Sequence, residues 1–301
     1  MKYDIEANWR LLNTCNFRCD YCFSHPDALG AMLNIYATPE QWAESFNTTS
    51  KTWLLHITGG EPTIYPGFVE LCEQLTKNHF VSLNSNLSHH CVNEFAEKID
   101  PSRVHYINAA VHYFERQKKA SLSVFINRVQ SLQSHQFNVL VSLVMTPTIV
   151  KIYSEISQYF ESFGISVIPK TMRDNYQGMR YPEAYSEKEK TLIVQYLREA
   201  RLKYMPIITR MAEPATIDMF NDERFLNSNR NYHGRLCGSG YNFIKLKPDG
   251  SVFRCGSKEC LGNILQKNVS FLSSPMLCNS SYCPYFCEKY TSPKFLNPQI
   301  T

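Results

Sequence analysis

No stretch of this 301-residue chain approaches the roughly 18 consecutive apolar residues that a membrane helix requires. Long basic runs are also missing; the nearest is the pair Lys118-Lys119, which suits a solvated helix face. With a net charge of only +4 and scattered basic residues, nothing marks a nucleic-acid surface. The opening "MKYDIEANWRLL" has charges where a targeting segment would carry an apolar core and a small-residue cleavage site. No internal repeat and no low-complexity segment interrupts the chain. These absences argue against a membrane or nucleic-acid partner and lead us to expect a cytoplasmic protein.

What the chain does have is cysteine. It carries 11, against an otherwise ordinary globular composition of 44% hydrophobic residues. In a reducing compartment so many thiols point to metal or redox use rather than to disulfides. Cys15, Cys19 and Cys22 crowd one end, and Cys237, Cys255, Cys260, Cys278, Cys283 and Cys287 the other. Between them stand only Cys72 and Cys91, both at helical spacing and read as small buried hydrophobes.

From residue 7 to about 170, short apolar runs alternate with amphipathic ones. "NWRLL", "TWLLHIT", "FVSLNSN", "HYINAAVH", "NVLVSLVM" and "ISVIPK" predict six strands. "PEQWAESF", "PGFVELCEQLTK", "CVNEFAEKI", "RQKKASLSVFINRVQSLQ" and "KIYSEISQYFESF" predict the intervening helices. Such alternation implies an α/β fold with a parallel sheet of right-handed units, whose site lies at the C-terminal strand ends. After Lys170 the pattern becomes polar and turn-rich. A helix is expected near Lys188 to Lys203, and "YNFIKLKPDGSVFRC" predicts a hairpin turning at Asp249-Gly250.

Three cysteines in "NTCNFRCDYCFSH" fall one short of a tetrahedral zinc site, unless His25 supplies the fourth ligand. The alternative is a [4Fe–4S] cluster with one iron left open. "GGEPT", Gly59 to Thr63, follows the second predicted strand; its glycines would let backbone approach a ligand, and Glu61 offers an acceptor for an ammonium group.

"CNFRCDYC" together with "GGEP" resembles the radical S-adenosylmethionine (radical SAM) superfamily, including the aromatic Tyr21 just before the last cysteine. The resemblance implies a partial (β/α)6 TIM-type barrel and a [4Fe–4S] cluster on Cys15, Cys19 and Cys22, with S-adenosylmethionine (SAM) bound at the open iron. It implies reductive cleavage of SAM to methionine and a 5′-deoxyadenosyl radical, fed by an electron donor such as flavodoxin or ferredoxin. Tyr21, Gly59, Gly60, Glu61 and Pro62 are then SAM-site residues. Ser85, Asn86 and His112, at the ends of the third and fourth strands, are further candidates, whereas Ser142 reads as structural.

The other cysteine group carries a second likeness. Cys237 and the hairpin's Gly250-x4-Cys255, followed by Leu-Gly-Asn-Ile, resemble the auxiliary-cluster extensions called SPASM and twitch. Cys278-x4-Cys283-x3-Cys287 departs from the full pattern, which implies one auxiliary [4Fe–4S] cluster rather than two. Its ligands would be Cys237 and Cys255 with two of Cys278, Cys283 and Cys287; a structural zinc on the same thiols is the competing reading. Cys260 is left as a bystander, a further ligand, or a hydrogen donor to a substrate radical. The expected organisation is a partial barrel over 1–185, a connecting segment over 186–236 and a cysteine-rich subdomain over 237–301.

Three functions diverge from here. The enzyme could oxidise, epimerise or rearrange a small molecule such as an amino sugar, aminocyclitol or nucleoside. It could instead crosslink a ribosomally made peptide, or be a non-catalytic Fe–S protein. The barrel begins within about seven residues of Met1, leaving no leader-binding domain in front, and this favours the small molecule.

Overall fold

In the computed structural model, which describes residues 1–22, 24, 29, 32–211, 226, 231–256 and 259–280, the six expected strands are all formed. They are β1 (Ile5–Leu12), β2 (Trp53–Gly59), β3 (Phe80–Ser85), β4 (Val104–Ala110), β5 (Val139–Met145) and β6 (Ile168–Thr171). They pair in sequence order, all parallel. Helices α1 (Pro39–Asn47), α2 (Phe68–Thr76), α3 (Cys91–Lys98), α4 (Tyr113–Lys118), α5 (Leu122–Ser134) and α6 (Pro147–Glu161) make the crossovers. The result is an open partial barrel.

Local chemistry sets the helix starts. Thr38 caps α1 through a reciprocal box with Gln41, and Pro39 takes the first turn, where its missing N–H is harmless. At α6 Thr146 caps without the reciprocal bond, its side chain accepting from Ile149 N, and Pro147 again takes the first turn. One expected helix is two: the run from Arg116 to Gln133 breaks at Ala120, whose φ is +47°. The break ends α4 after one and a half turns, and both Glu115 and Arg116 on that short helix are buried.

The convex face carries the apolar side chains of alternate strand residues into one core beneath the helices, where Trp9 and Trp53 each meet Phe46 edge to face and Trp42 packs against Trp9. Cys72 and Cys91 lie in this core, as small hydrophobes should. The concave face is divided. Its lower part, Tyr106, Leu140 and Ile168, is covered by Leu197, Ala200 and Tyr204 of α7 (Glu187–Arg210). Tyr204 fastens the plug by donating to the Ser166 carbonyl at 2.6 Å and accepting from Val141 N at 3.1 Å.

The sheet does not stop at β1. The predicted hairpin forms as β10 (Phe243–Leu246) and β11 (Ser251–Phe253), with Gly250 at φ +82° in its turn; β10 pairs parallel to β1, and β12 (Cys260–Asn263) adds an outer strand. The cysteine-rich segment thus begins as a continuation of the barrel sheet. A hairpin of β7 (Asp174–Tyr176) with β8 (Met179–Tyr181) and an antiparallel pair of β9 (Leu236–Cys237) with β13 (Met276–Leu277) complete the described fold. No helix among the described residues is long and apolar enough to cross a membrane.

Candidate active site

The cysteine loop leaves β1 at Leu12 and is pinned at once to the end of β2. Gly60 N donates to the Leu12 carbonyl at 2.9 Å and Glu61 N to the Thr14 carbonyl at 2.9 Å. The glycines make this approach possible. A Cβ on Gly60 would lie 2.0 Å from Thr14 O, and one on Gly59 2.3 Å from Leu12 O. Their smallness serves the chain's own backbone, where the sequence suggested a ligand.

Glu61 departs from expectation in the same sense. It is 1% exposed, and its Oε1 accepts from Thr63 N (3.1 Å), Thr63 Oγ1 (2.5 Å) and Ser85 Oγ (2.6 Å), its Oε2 from Asn86 N (2.7 Å). Burial pushes this carboxyl upward, and the four donors oppose the shift. Glu61 is therefore a clamp between the ends of β2 and β3, with its acceptor sites already engaged. Pro62 opens the short turn that Glu61 caps. Asn86 then reaches the cysteine loop, its Nδ2 donating to Asn16 Oδ1 at 3.0 Å.

The third support is α4, which the sequence reading did not single out beyond His112. That histidine sits at φ +48°, its Nδ1 2.7 Å from the Tyr21 hydroxyl and 3.3 Å from Cys19 Sγ. Desolvation lowers its imidazole to about 3, with the nearby Arg116 acting in the same direction, so it is neutral. Glu115 accepts from Arg18 N at 3.4 Å, and the guanidinium of Arg116 lies 5.2 Å from the centre of the Phe17 ring. From the far side Tyr176 donates to Asp20 Oδ2 at 3.0 Å, so the β7–β8 hairpin also touches the loop.

Among the described residues no three His, Cys, Asp or Glu groups converge on a single metal ion. A cubane cluster binds its thiolates at separate iron corners, so the relevant test is the donor set and its surroundings. Three half-buried thiols stand on one loop, Phe17 N points at Cys15 Sγ at 3.4 Å, and His112 is beside Cys19. Burial pushes the Cys15 and Cys19 thiols up to about 11 and about 12, so binding must displace their protons. This set fits a three-thiolate cluster.

The upper concave face is the floor of the site. Ser142 donates to Asn108 Oδ1 (2.7 Å), Asn108 Nδ2 to Asn84 Oδ1 (2.8 Å) and Asn84 Nδ2 to Thr58 Oγ1 (3.2 Å). This row crosses four strands, and Asn84 is solvent-exposed on a central strand. An exposed amide there means that this part of the face is left uncovered. By register Arg10, Asn8 and Lys245 share the face on one side and Lys170 on the other. Beneath the row lie the buried pair Glu6 and His56, 3.0 Å apart, and Ser82.

Of the second cysteine group, Cys237, Cys255 and Cys278 gather around Tyr232 and Phe243 in one small apolar cluster. Cys283 and Cys287, like His25, lie outside the described residues. Cys260 is exposed at the start of β12, three strands out from β1.

Residues 9–153 match the model of the radical SAM superfamily, a span running from β1 into α6. The likeness to a radical SAM domain thus covers the strands and helices that carry the cysteine loop and the Gly-Gly-Glu-Pro turn. Among curated proteins it is similar to an S-adenosylmethionine-dependent nucleotide dehydratase of Thermoplasmatales archaeon (strain ISO4-H5), 28% identical over 69 residues. That match spans 22% of this chain and 23% of the relative. Among solved structures, anSMEcpe with bound AdoMet aligns at TM-score 0.59 and 16% identity, over 87% of this chain and 75% of that one. Streptococcus suis SuiB bound to S-adenosylmethionine aligns at 0.55 and 14%, over 88% and 64%. At these identities the likeness is one of fold.

Proposed function

We propose that this enzyme cleaves SAM reductively and abstracts a hydrogen atom from a polar, anionic small molecule of the nucleoside or nucleotide class. The observation that carries the substrate class is the concave floor: a row of amides and hydroxyls flanked by Arg10, Lys170 and Lys245, with Glu6 held beneath it against His56. Such a surface offers many hydrogen bonds and net positive charge, which suits hydroxyls and phosphate. The nucleotide dehydratase relative supports the same class.

A cluster on Cys15, Cys19 and Cys22, when bound, supplies the electron that splits SAM into methionine and the 5′-deoxyadenosyl radical, drawing on a small donor such as flavodoxin or ferredoxin. The chain's own residues do the remaining work. Glu61, Ser85 and Asn86 hold the loop ends in register, Tyr21 and His112 wall the loop on one side, and α7 seals the barrel bottom against water. Cys237, Cys255 and Cys278 are proposed ligands of one auxiliary [4Fe–4S] cluster, completed by Cys283 or Cys287.

A second reading, peptide modification, draws on that thiol group and on the fold's likeness to SuiB, solved also with precursor peptide SuiA. Anaerobic reduction with SAM tests both. We expect 5′-deoxyadenosine release that Cys22→Ala abolishes and that nucleoside triphosphates stimulate. Release unchanged in Cys22→Ala sinks the radical SAM reading, and stimulation by peptides alone replaces the nucleotide. Reconstitution should yield about seven to eight iron atoms per chain, against about four if the C-terminal thiols hold no cluster.

A further inference from the structure

One buried charge near the cysteine loop has no place in the reading above. Arg116 is 0% exposed. Its Nε donates to the Val111 carbonyl at 2.5 Å, and its Nη2 to the carbonyls of Asn86 and, at 3.4 Å, Ala110. These acceptors are neutral and lie at the C-terminal ends of β3 and β4. Its Nη1 has no hydrogen-bond partner among the described residues. The guanidinium is packed between two rings, 5.2 Å from Phe17 of the cysteine loop and 4.1 Å from Phe125 of α5.

A lone buried cation is costly, because desolvation penalises the charged form. Burial accordingly lowers this guanidinium to about 9, still charged at neutral pH, while Glu61 and Cys19 act in the opposite direction. Surface stability offers no reason to keep such a group, since an apolar side chain would pack between Phe17 and Phe125 without the penalty. Its position offers one. Phe17 lies between Cys15 and Cys19, and the Asn86 residue that accepts from Arg116 donates its own N–H to Glu61. The positive charge therefore sits directly behind the thiol loop, in a medium where fields are weakly screened.

We propose that Arg116 is a positioning residue that holds the cysteine loop and raises the reduction potential of the cluster bound there. Adding an electron to a cluster with three thiolates increases its negative charge, and a fixed cation nearby stabilises the reduced form. The inference rests on the radical SAM reading of Cys15, Cys19 and Cys22.

The test is an EPR-monitored redox titration of the reconstituted protein, following the signal that changes when SAM is added, so that any auxiliary cluster is set aside. Iron loading and that SAM-sensitive signal in the unmodified protein test the underlying reading; the shift between variants tests this one. Arg116→Met should load iron and fold, yet show a midpoint lower by at least 59 mV, a tenfold change in the one-electron equilibrium. Arg116→Lys, which keeps the charge, should stay within a twofold change. Arg116→Gln keeps N–H donors for the Asn86 and Val111 carbonyls without charge, and should fall with the methionine variant should the latter not fold. A neutral variant that loads iron with an unmoved midpoint overturns the proposal. So does a set in which both neutral variants unfold while the lysine variant behaves normally, because the residue's role is then confined to the fold.

Discussion

Replacing Gly60 by alanine should be the most damaging single methyl addition near the site. The new Cβ would meet Thr14 O at 2.0 Å, Thr14 C at 2.4 Å and Asn13 O at 2.5 Å, where ordinary contact begins at 3.4 Å. All three are backbone atoms, so no rotamer change relieves the overlap. The cysteine loop must retreat by more than 1 Å, which carries the 2.9 Å bonds from Gly60 N to Leu12 O and from Glu61 N to Thr14 O beyond useful range. Two backbone hydrogen bonds are worth about 1 kcal/mol each, and leaving a buried group unpaired costs ~1–3 kcal/mol. The expected loss is therefore about 2–4 kcal/mol, read as a urea midpoint shift at constant slope. Iron uptake on reconstitution should fall with it. Gly256, which among the described residues has nothing within 4 Å of an added Cβ and no positive φ, supplies the control: Gly256→Ala should stay within about 0.5 kcal/mol. An equally silent Gly60→Ala would refute the claim that these glycines exist for backbone approach.

Acid stability should depend on His79, which is buried, accepts from Trp53 N at 3.4 Å, and is pushed down to about 4 by burial. The unfolded chain takes up that proton near 6.5 and the folded chain resists until about 4, so stability is intact above pH 6.5 and lost progressively as pH falls toward 4. His79→Leu should flatten that limb, worth up to about 3 kcal/mol, in denaturation series across pH 4–7. Tyr204→Phe strips Val141 N of its acceptor inside the barrel plug and should cost about 1–3 kcal/mol in urea unfolding; a loss below ~0.5 kcal/mol would mean water replaces the hydroxyl. For Cys260, a hydrogen-donating role and a place on the outer strand give opposite outcomes. From its exposed position on β12, Cys260→Ala should retain full turnover and unchanged deuterium incorporation from D2O, measured by mass spectrometry.

The parts of this molecule that could be read beforehand are those specified by neighbours in sequence. Strands such as "NVLVSLVM" announce themselves by an apolar run, and the cysteine and Gly-Gly-Glu-Pro motifs by local spacing. The Asp249-Gly250 turn belongs to the same category. What could not be read depends on register. Asn84 and Asn108 carry no motif of their own and Ser142 reads as structural, and only strand pairing brings the three, from three different strands, into one row. Arg116 was hidden for a related reason. In "HYFERQKK" it reads as one more charge on a solvated helix, whereas in the fold it is buried on a short helix against Phe17. Glu61 was found but assigned too simply, because its four donors come from Thr63, Ser85 and Asn86, two of which lie a strand away.

The amide row makes the substrate reading testable in its sign. Asn108 occupies the middle of the relay, accepting from Ser142 and donating to Asn84. Asn108→Leu breaks both joints, yet Asn84 is exposed and water can take its place, so stability should change by only about 1 kcal/mol. Binding should suffer more, because a bound substrate would exclude that water: a loss near 1.4 kcal/mol is tenfold in KM for the nucleoside triphosphate that most stimulates 5′-deoxyadenosine release. Release without substrate should be unaffected, since the relay does not contact Cys15, Cys19 or Cys22. Asn108→Asp separates charge from shape. It is nearly isosteric with asparagine and adds a negative charge to a floor shared with Arg10, Lys170 and Lys245, so an anionic substrate should lose more affinity than with leucine, and the loss should shrink as salt rises. Equal losses in the two variants, indifferent to salt, would mean the floor reads hydroxyls rather than phosphate, and the substrate would then be a neutral polyhydroxylated molecule.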